Sequence, residues 1–359
     1  MTVLMLLLGL IGLVAGAELL VRGASRLGLA IGISPLVIGL TIVAFGTSSP
    51  EMAVSVRAAL TNHPDIVIGT NVGSTVFNIL FILGICALVA PLIISQQLVW
   101  YEVPIMIGAH FLLLVMSLDG KITRLNALIL LLCLICYTVY AIVKGRREAK
   151  PVTDEYQEAF SVSKKGLNAL IIGKQCGLIV LGLIFCVFGA GWLLDSAVIL
   201  ARALGVSELV IGMTIVAAGT SLPEVATSVV ATIRGQRDIA VGNVVGSNIF
   251  NILGIVGVAG LIAPDGIVVA PSVLRFDLPV AIATCVACLP VFFTGHKISR
   301  WEGIVFLGYY AAYTSYLIMA AKDHDSLPML SMMMMWFVIP LTLLTAAIVI
   351  YRTSRKHRF

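Results

Sequence analysis

Two stretches of this chain, 173 residues apart, are nearly the same: Gly39-Leu-Thr-Ile-Val-Ala-Phe-Gly-Thr-Ser-Ser-Pro-Glu51 and Gly212-Met-Thr-Ile-Val-Ala-Ala-Gly-Thr-Ser-Leu-Pro-Glu224 agree at ten of thirteen positions. The likeness continues downstream. Asp65 to Gly84 and Asp238 to Gly257 match at twelve of twenty positions with the same offset, including Gly73-Ser74 with Gly246-Ser247 and Phe77-Asn78 with Phe250-Asn251. Such internal repetition predicts two structurally related halves that share one site.

The solvent of those halves follows from hydropathy. Mean hydropathy is +1.07, and charged residues make up only 11% of the chain, against about 25% in soluble proteins. Apolar runs long enough to cross a hydrocarbon core of ~30 Å recur with short polar breaks. They fall near 2–22, 33–60, 65–91, 102–118, 124–143, 174–200, 206–233, 238–263, 272–293, 301–321 and 328–351, which is eleven spans. The first is too long for a signal-peptide core and has no basic residue ahead of it, so it reads as an uncleaved helix. Counted by alternate loops, seventeen Lys and Arg residues lie on one side and six on the other. This bias places the N-terminus outside and the C-terminus in the cytoplasm, with the basic tail on the correct side only if 328–351 crosses.

The expected fold is therefore an all-α integral membrane protein. Residues 1–143 form a first repeat of five transmembrane helices, 144–173 a cytoplasmic linker of mixed charge, 174–321 a second repeat of five, and 322–359 an additional helix with a basic tail. Five helices per half invert the second repeat relative to the first and put the shared site near the midplane.

An acidic side chain inside a bilayer costs roughly 2.5–3.5 kcal/mol on the insertion scale, so a duplicated one needs a compensating role, most simply holding a cation. Pro50 cannot donate to the carbonyl of Gly46, and its ring opens that turn, which predicts freed carbonyls around 44–46. Bare carbonyls are tolerated in a membrane only against a cavity or an ion. Thr47 and Ser48 precede Glu51 by four and three residues and share its helix face. Ala217, Thr220, Ser221 and Glu224, with Pro223, repeat the pattern. Ser74 with Asn78, and Ser247 with Asn251, add further oxygens at i, i+4 spacing, while Gly69, Gly73, Gly242 and Gly246 allow close helix approach. A set made of oxygens alone suits hard cations such as Ca²⁺ and Na⁺ rather than Zn²⁺ or Cu⁺, and two carboxylates balance one divalent charge.

Other polar residues read as structural. Cys133/Cys136 and Cys285/Cys288 form CxxC pairs in apolar helices without His or carboxylate neighbours and are given no role. Glu18 and Asp195 read as interfacial, His110 as satisfied by a neighbour, and Met332 to Met335 as lipid-facing bulk.

The paired Gly-Thr-Ser-x-Pro-Glu and Gly-Ser-x-x-x-Asn signatures resemble the alpha repeats of the sodium/calcium exchanger family, within the cation/calcium antiporter superfamily. The resemblance covers residues 2–321 and implies ion ligation by Glu51, Glu224, Thr47, Ser48, Thr220, Ser221, Ser74, Asn78, Ser247 and Asn251 and by the carbonyls of Ala44 and Ala217. It also implies ten core helices, of which the first and sixth slide across the others. The transported ions are then Ca²⁺ and Na⁺, with no cofactor, nucleic acid or obligate protein partner, and the lipid bilayer as surroundings. Some relatives carry Asp where this chain has Asn251, and the eleventh helix is additional. The large cytoplasmic calcium-sensing domains of animal exchangers have no counterpart here, which suits the plasma (inner) membrane of a prokaryote. Na⁺/Ca²⁺ antiport is the adopted reading and Ca²⁺/H⁺ antiport the alternative. A passive channel ranks lower because inverted repeats with broken helices favour a carrier. No HExxH or GxSxG motif supports an enzyme.

Overall fold

Without water to pair them, backbone N–H and C=O groups in a bilayer are satisfied within helices. The apolar runs accordingly fold as helices in the computed structural model, which describes residues 2–61, 65–160, 169–205, 217–293, 295–321 and Met332. In chain order the helices are α1 (Thr2–Ile31), α2 (Pro35–Thr47) and α3 (Ser49–Leu60), α4 (Ile66–Val89), α5 (Leu98–Ser117) and α6 (Arg124–Phe160). The second half supplies α7 (Ala169–Ala203), α8 (Leu222–Ile233), α9 (Arg237–Ile262), α10 (Val273–Phe293) and α11 (Arg300–Ala321). Eight of these are long and apolar enough to span, and α2 with α3 makes a ninth, bent by 47°. The remaining helix, α8, is the described part of the span expected at 206–233; the eleventh span, 328–351, lies outside the described residues except for Met332, which is exposed.

Two boundaries differ from expectation. The first helix runs on to Ile31, and α6 continues through the polar segment to Phe160. That segment carries Glu, Ala, Lys and Arg, all strong helix formers, with Glu and Ala on both sides of Pro151, which stands inside the helix despite an ordinary cost of about 3 kcal/mol.

The molecule is also not wholly helical. Two-residue strands β1 (Leu92–Ile93), β2 (Lys121–Ile122), β3 (Ile267–Val268) and β4 (Lys297–Ile298) form two antiparallel ribbons, β1 with β4 and β2 with β3. Each ribbon joins one strand from each half. Six expected spans separate the first pair and four the second, so each ribbon links connections on a single face of the membrane.

The centre and the rim differ in burial. The apolar windows of α4 and α9 are 72% and 83% buried, against 28% for both α1 and α7, so the repeated motif helices form the middle. Cross-repeat packing there is tight: a Cβ on Gly242 or Gly246 would come within 2.7 Å of Leu36 O or 2.5 Å of Leu40 O on α2. The repeat offset puts the equivalent neighbours of Gly69 and Gly73 at 209–213, outside the described residues. At the rim, α1 and α7 run antiparallel with backbones touching. A Cβ on Gly9 or Gly16 would meet α7 backbone at 2.7 Å or 2.5 Å, and one on Gly182 or Gly189 would meet α1 equally closely. This small-residue seam makes α1 and α7 one packed unit.

Candidate cation-binding site

Each motif ends one helix and starts another. Ser48 (φ −79°, ψ 9°) and Ser221 (φ −89°, ψ 8°) leave helical geometry, and Pro50 and Pro223 occupy the first turns of α3 and α8. There the missing N–H costs nothing, because first-turn donors have no intrahelical partner. Glu51 and Glu224 follow directly, in the first turns of their helices, where the positive end of the helix dipole favours a carboxylate. The freed carbonyls are fewer than the sequence suggests. Ala44 O keeps the N–H of Ser48 at 3.0 Å, so the proline removes the i+4 donor of Gly46 alone.

The two carboxylates are fully or almost fully buried, at 0% and 1% exposure, and each takes its hydrogen bond from the opposite repeat. Ser221 Oγ donates to Glu51 Oε1 at 2.9 Å, and Ser48 Oγ donates to Glu224 Oε1 at 3.0 Å. Ser221 Oγ also lies 3.4 Å from Ser74 Oγ. Asn78 and Asn251 sit in π-helical turns at matching places, Phe77–Ile82 and Asn251–Ile255. Such turns insert an extra residue per hydrogen-bonded ring and recur at functional sites.

Among the described residues no hydrogen-bond donor reaches four buried oxygens of the expected ligand set, Glu51 Oε2, Glu224 Oε2, Asn78 Oδ1 and Asn251 Oδ1. A buried polar atom left unsatisfied costs about 1–3 kcal/mol, and four acceptor-only oxygens on one residue set favour positive charge there. Among the described residues, no group of three or more His, Cys, Asp or Glu side chains is placed to hold a metal ion. The donor set is that of a hard cation.

Direct bonds thus join Ser48 to Glu224, and Ser221 to both Glu51 and Ser74. Thr47 Oγ1 faces Ala44 O at 3.4 Å and donates to Asn243 Oδ1 at 3.1 Å. Ala217 opens the single turn Ala217–Gly219 ahead of Ser221. Sequence reasoning missed a surrounding layer of amides. Asn243 Nδ2 donates to Ser228 Oγ and Asn71 Nδ2 to Ser55 Oγ, both at 3.0 Å, and Asn78 Nδ2 donates to Asn248 Oδ1 at 3.0 Å. The available signal was that Ser55 and Ser228 also obey the offset of 173, four residues after each glutamate.

Residues read as structural behave so. His110 Nδ1 contacts Met106 O at 2.8 Å and Nε2 lies 3.0 Å from Thr75 Oγ1. Cys133 and Cys136 are not buried and all four cysteines are free thiols, but the expectation that neither pair has a histidine neighbour fails for Cys285, whose Sγ lies 3.9 Å from His110 Nδ1 because α5 and α10 pack together. Glu18 pairs with Arg22 on its own helix and with Arg234 at 2.7 Å.

A family model described as "Sodium/calcium exchanger protein" matches residues 1–143 and 174–319. The chain is 34% identical over 319 residues to the putative antiporter CaxA of Alkalimonas amylolytica, covering 88% of this chain and 98% of that one. It is 35% identical to the sodium/calcium exchanger MaX1 of Methanosarcina acetivorans, covering 86% and 96%. Among solved structures, the sodium-calcium exchanger NCX_Mj superposes with a TM-score of 0.74 at 31% identity, over 88% of this chain and 98% of that chain.

Proposed function

Because the chain belongs to the sodium/calcium exchanger family and is thereby a cation/calcium antiporter of the membrane rather than an enzyme, we propose that it exchanges Ca²⁺ for Na⁺ by alternating access. The observation that carries this reading is the reciprocal pair of buried glutamates, with their second oxygens and the amide oxygens of Asn78 and Asn251 reached by no donor among the described residues. Two carboxylates neutralise one Ca²⁺, or two Na⁺, and either loading leaves no net charge at the low-dielectric centre, where an unbalanced charge is most costly. Glu51, Glu224, Thr47, Ser48, Thr220, Ser221, Ser74, Asn78, Ser247 and Asn251, with the carbonyls of Ala44 and Ala217, form the ligand set. Ala44 O has one lone pair engaged by Ser48 N–H and a second to offer.

The seam between α1 and α7 supports their movement as a unit over the better-buried helices, which the two ribbons fasten across the halves. The excess of Lys and Arg on alternate loops supports an N-terminus outside and a cytoplasmic C-terminus, and likeness to the proteins of Alkalimonas amylolytica and Methanosarcina acetivorans supports residence in a prokaryotic plasma membrane.

Flux in proteoliposomes tests the proposal. Ca²⁺ uptake should follow an imposed Na⁺ gradient and be absent with a pH gradient alone; uptake driven by ΔpH without Na⁺ would instead establish Ca²⁺/H⁺ exchange.

A further inference from the structure

An asparagine ligates a cation only through its carbonyl oxygen, yet its two amide ends are almost the same shape. Packing therefore cannot decide which end faces the ion, and hydrogen-bond polarity must. The Asn78 amide nitrogen donates to Asn248 Oδ1 at 3.0 Å, which leaves Asn78 Oδ1 as the buried, unpartnered atom. The next link fixes the sense. Asn248 Nδ2 lies 3.5 Å from Met106 Sδ, and a thioether can accept but never donate. Were Asn248 reversed, its oxygen would face the sulfur, lone pair against lone pair, and its NH₂ would turn Asn78 over, aiming a donor at the ions. Met106 is itself anchored, its carbonyl held by His110, which contacts Thr75. Among the described residues the arrangement is seen in one half. The repeat offset pairs Asn248 with Thr75, whose hydroxyl faces His110 instead.

Resting on the proposed function, we propose that Asn248 is a positioning residue that turns the carbonyl of Asn78 toward the transported cation, and that Met106 sets the polarity of that turn. Neither touches the ion. Outer partners of this kind typically change metal affinity about 10–100-fold when removed.

The test is Ca²⁺ binding to the purified full-length protein by calorimetry, with thermal unfolding followed in parallel. Asn248→Leu should weaken Ca²⁺ binding by about 10-fold or more while the unfolding transition persists, and Met106→Leu, nearly equal in volume, should weaken it less. In an Asn78→Asp background an oxygen faces the ion whichever way the side chain turns, so adding Asn248→Leu should have little further effect. Parental affinity in Asn248→Leu, or an equal loss with Asp at position 78, would overturn the proposal. Should Asn248→Leu fail to fold, Met106→Leu carries the test, and parental affinity there overturns it. A parent protein that binds no Ca²⁺ overturns the proposed function along with this inference, whereas a binding parent with an equally binding variant overturns this inference alone.

Discussion

In the first repeat Ser48 donates to Glu224 at 3.0 Å, and in the second Ser221 donates to Glu51 at 2.9 Å. Around these two bonds the halves part company. Thr47 donates to Asn243 Oδ1, while the repeat offset puts Thr70 where the matching amide for Thr220 would stand. Asn78 is braced by Asn248, while Thr75, at the equivalent place in the first repeat, contacts His110. The duplicated residues carry the carboxylates and the bond handed across the interface, and on the reading proposed above the residues that escaped duplication would set how firmly each ligand is aimed. A symmetric site would offer its ions equivalent positions, whereas the site proposed above would offer unequal ones.

The largest expected effect tests the symmetric part of that comparison. Glu51→Gln and Glu224→Gln each leave a single negative charge to face a divalent ion at the low-dielectric centre. Both should reduce Na⁺-driven Ca²⁺ uptake in proteoliposomes to background, with the protein still folded. Near-normal uptake by either variant would show that the two carboxylates are not partners in one site.

A smaller loss is expected from the cross-repeat donors. Hydrogen bonds to charged groups contribute about 1.5–3 kcal/mol, so Ser48→Ala and Ser221→Ala should each weaken Ca²⁺ affinity about 10- to 100-fold. The comparison becomes sharper if the losses are unequal: Ser221 also neighbours Ser74, so its removal disturbs two groups and should cost more. Equal losses would mean that the Ser74 contact contributes nothing.

How much of this was legible in the sequence follows from the same division. Glu51, Ser48 and Asn78 were found because each has a copy 173 residues on, and Pro50 and Pro223 announced the helix breaks. Asn243, Asn248 and Met106 have no copy, so their roles depend on partners from other helices that only the fold brings near. The π-helical turns at Phe77–Ile82 and Asn251–Ile255 were also hidden, since an extra residue in one turn leaves an all-apolar pattern unchanged. The seam of α1 against α7 needed both helices to be seen, because Gly9 and Gly16 are ordinary membrane glycines until Gly182 and Gly189 face them.

Asn251 offers a milder probe of the unequal halves. Asn251→Asp raises the fixed charge of the site from −2 to −3 without changing side-chain shape. Three carboxyls in one cavity bind protons in competition with cations, so Ca²⁺ flux should fall toward acid pH more steeply than in the parent, and the Na⁺ requirement should change. Superimposable flux profiles from pH 5 to 9 would place Asn251 away from the ions.

The smallest effect concerns a difference between the repeats at the rim. Glu18 on α1 pairs with Arg22 and, across to the end of α8, with Arg234 at 2.7 Å, while Ser25 donates to Gln236 nearby. The repeat offset puts Gly191 and Thr61 at the places of Glu18 and Arg234, so the second half has no copy of this pair. The contact joins the helix expected to slide to a helix of the central group, and it favours the conformation in which it is made. With Arg22 and Arg234 more than half exposed, at 55% and 52%, water and salt screen it, and such pairs contribute only about 0.2–1 kcal/mol, a shift of about fivefold at most in the balance between states. Glu18→Gln should therefore alter the apparent KM for Ca²⁺ by no more than about fivefold at low salt, with less change at high salt. The exchange Glu18→Arg with Arg234→Glu should restore the contact between α1 and α8 while setting a second guanidinium beside Arg22, so recovery should be partial. A loss as large as that expected at Glu51 would instead put Glu18 on the ion path.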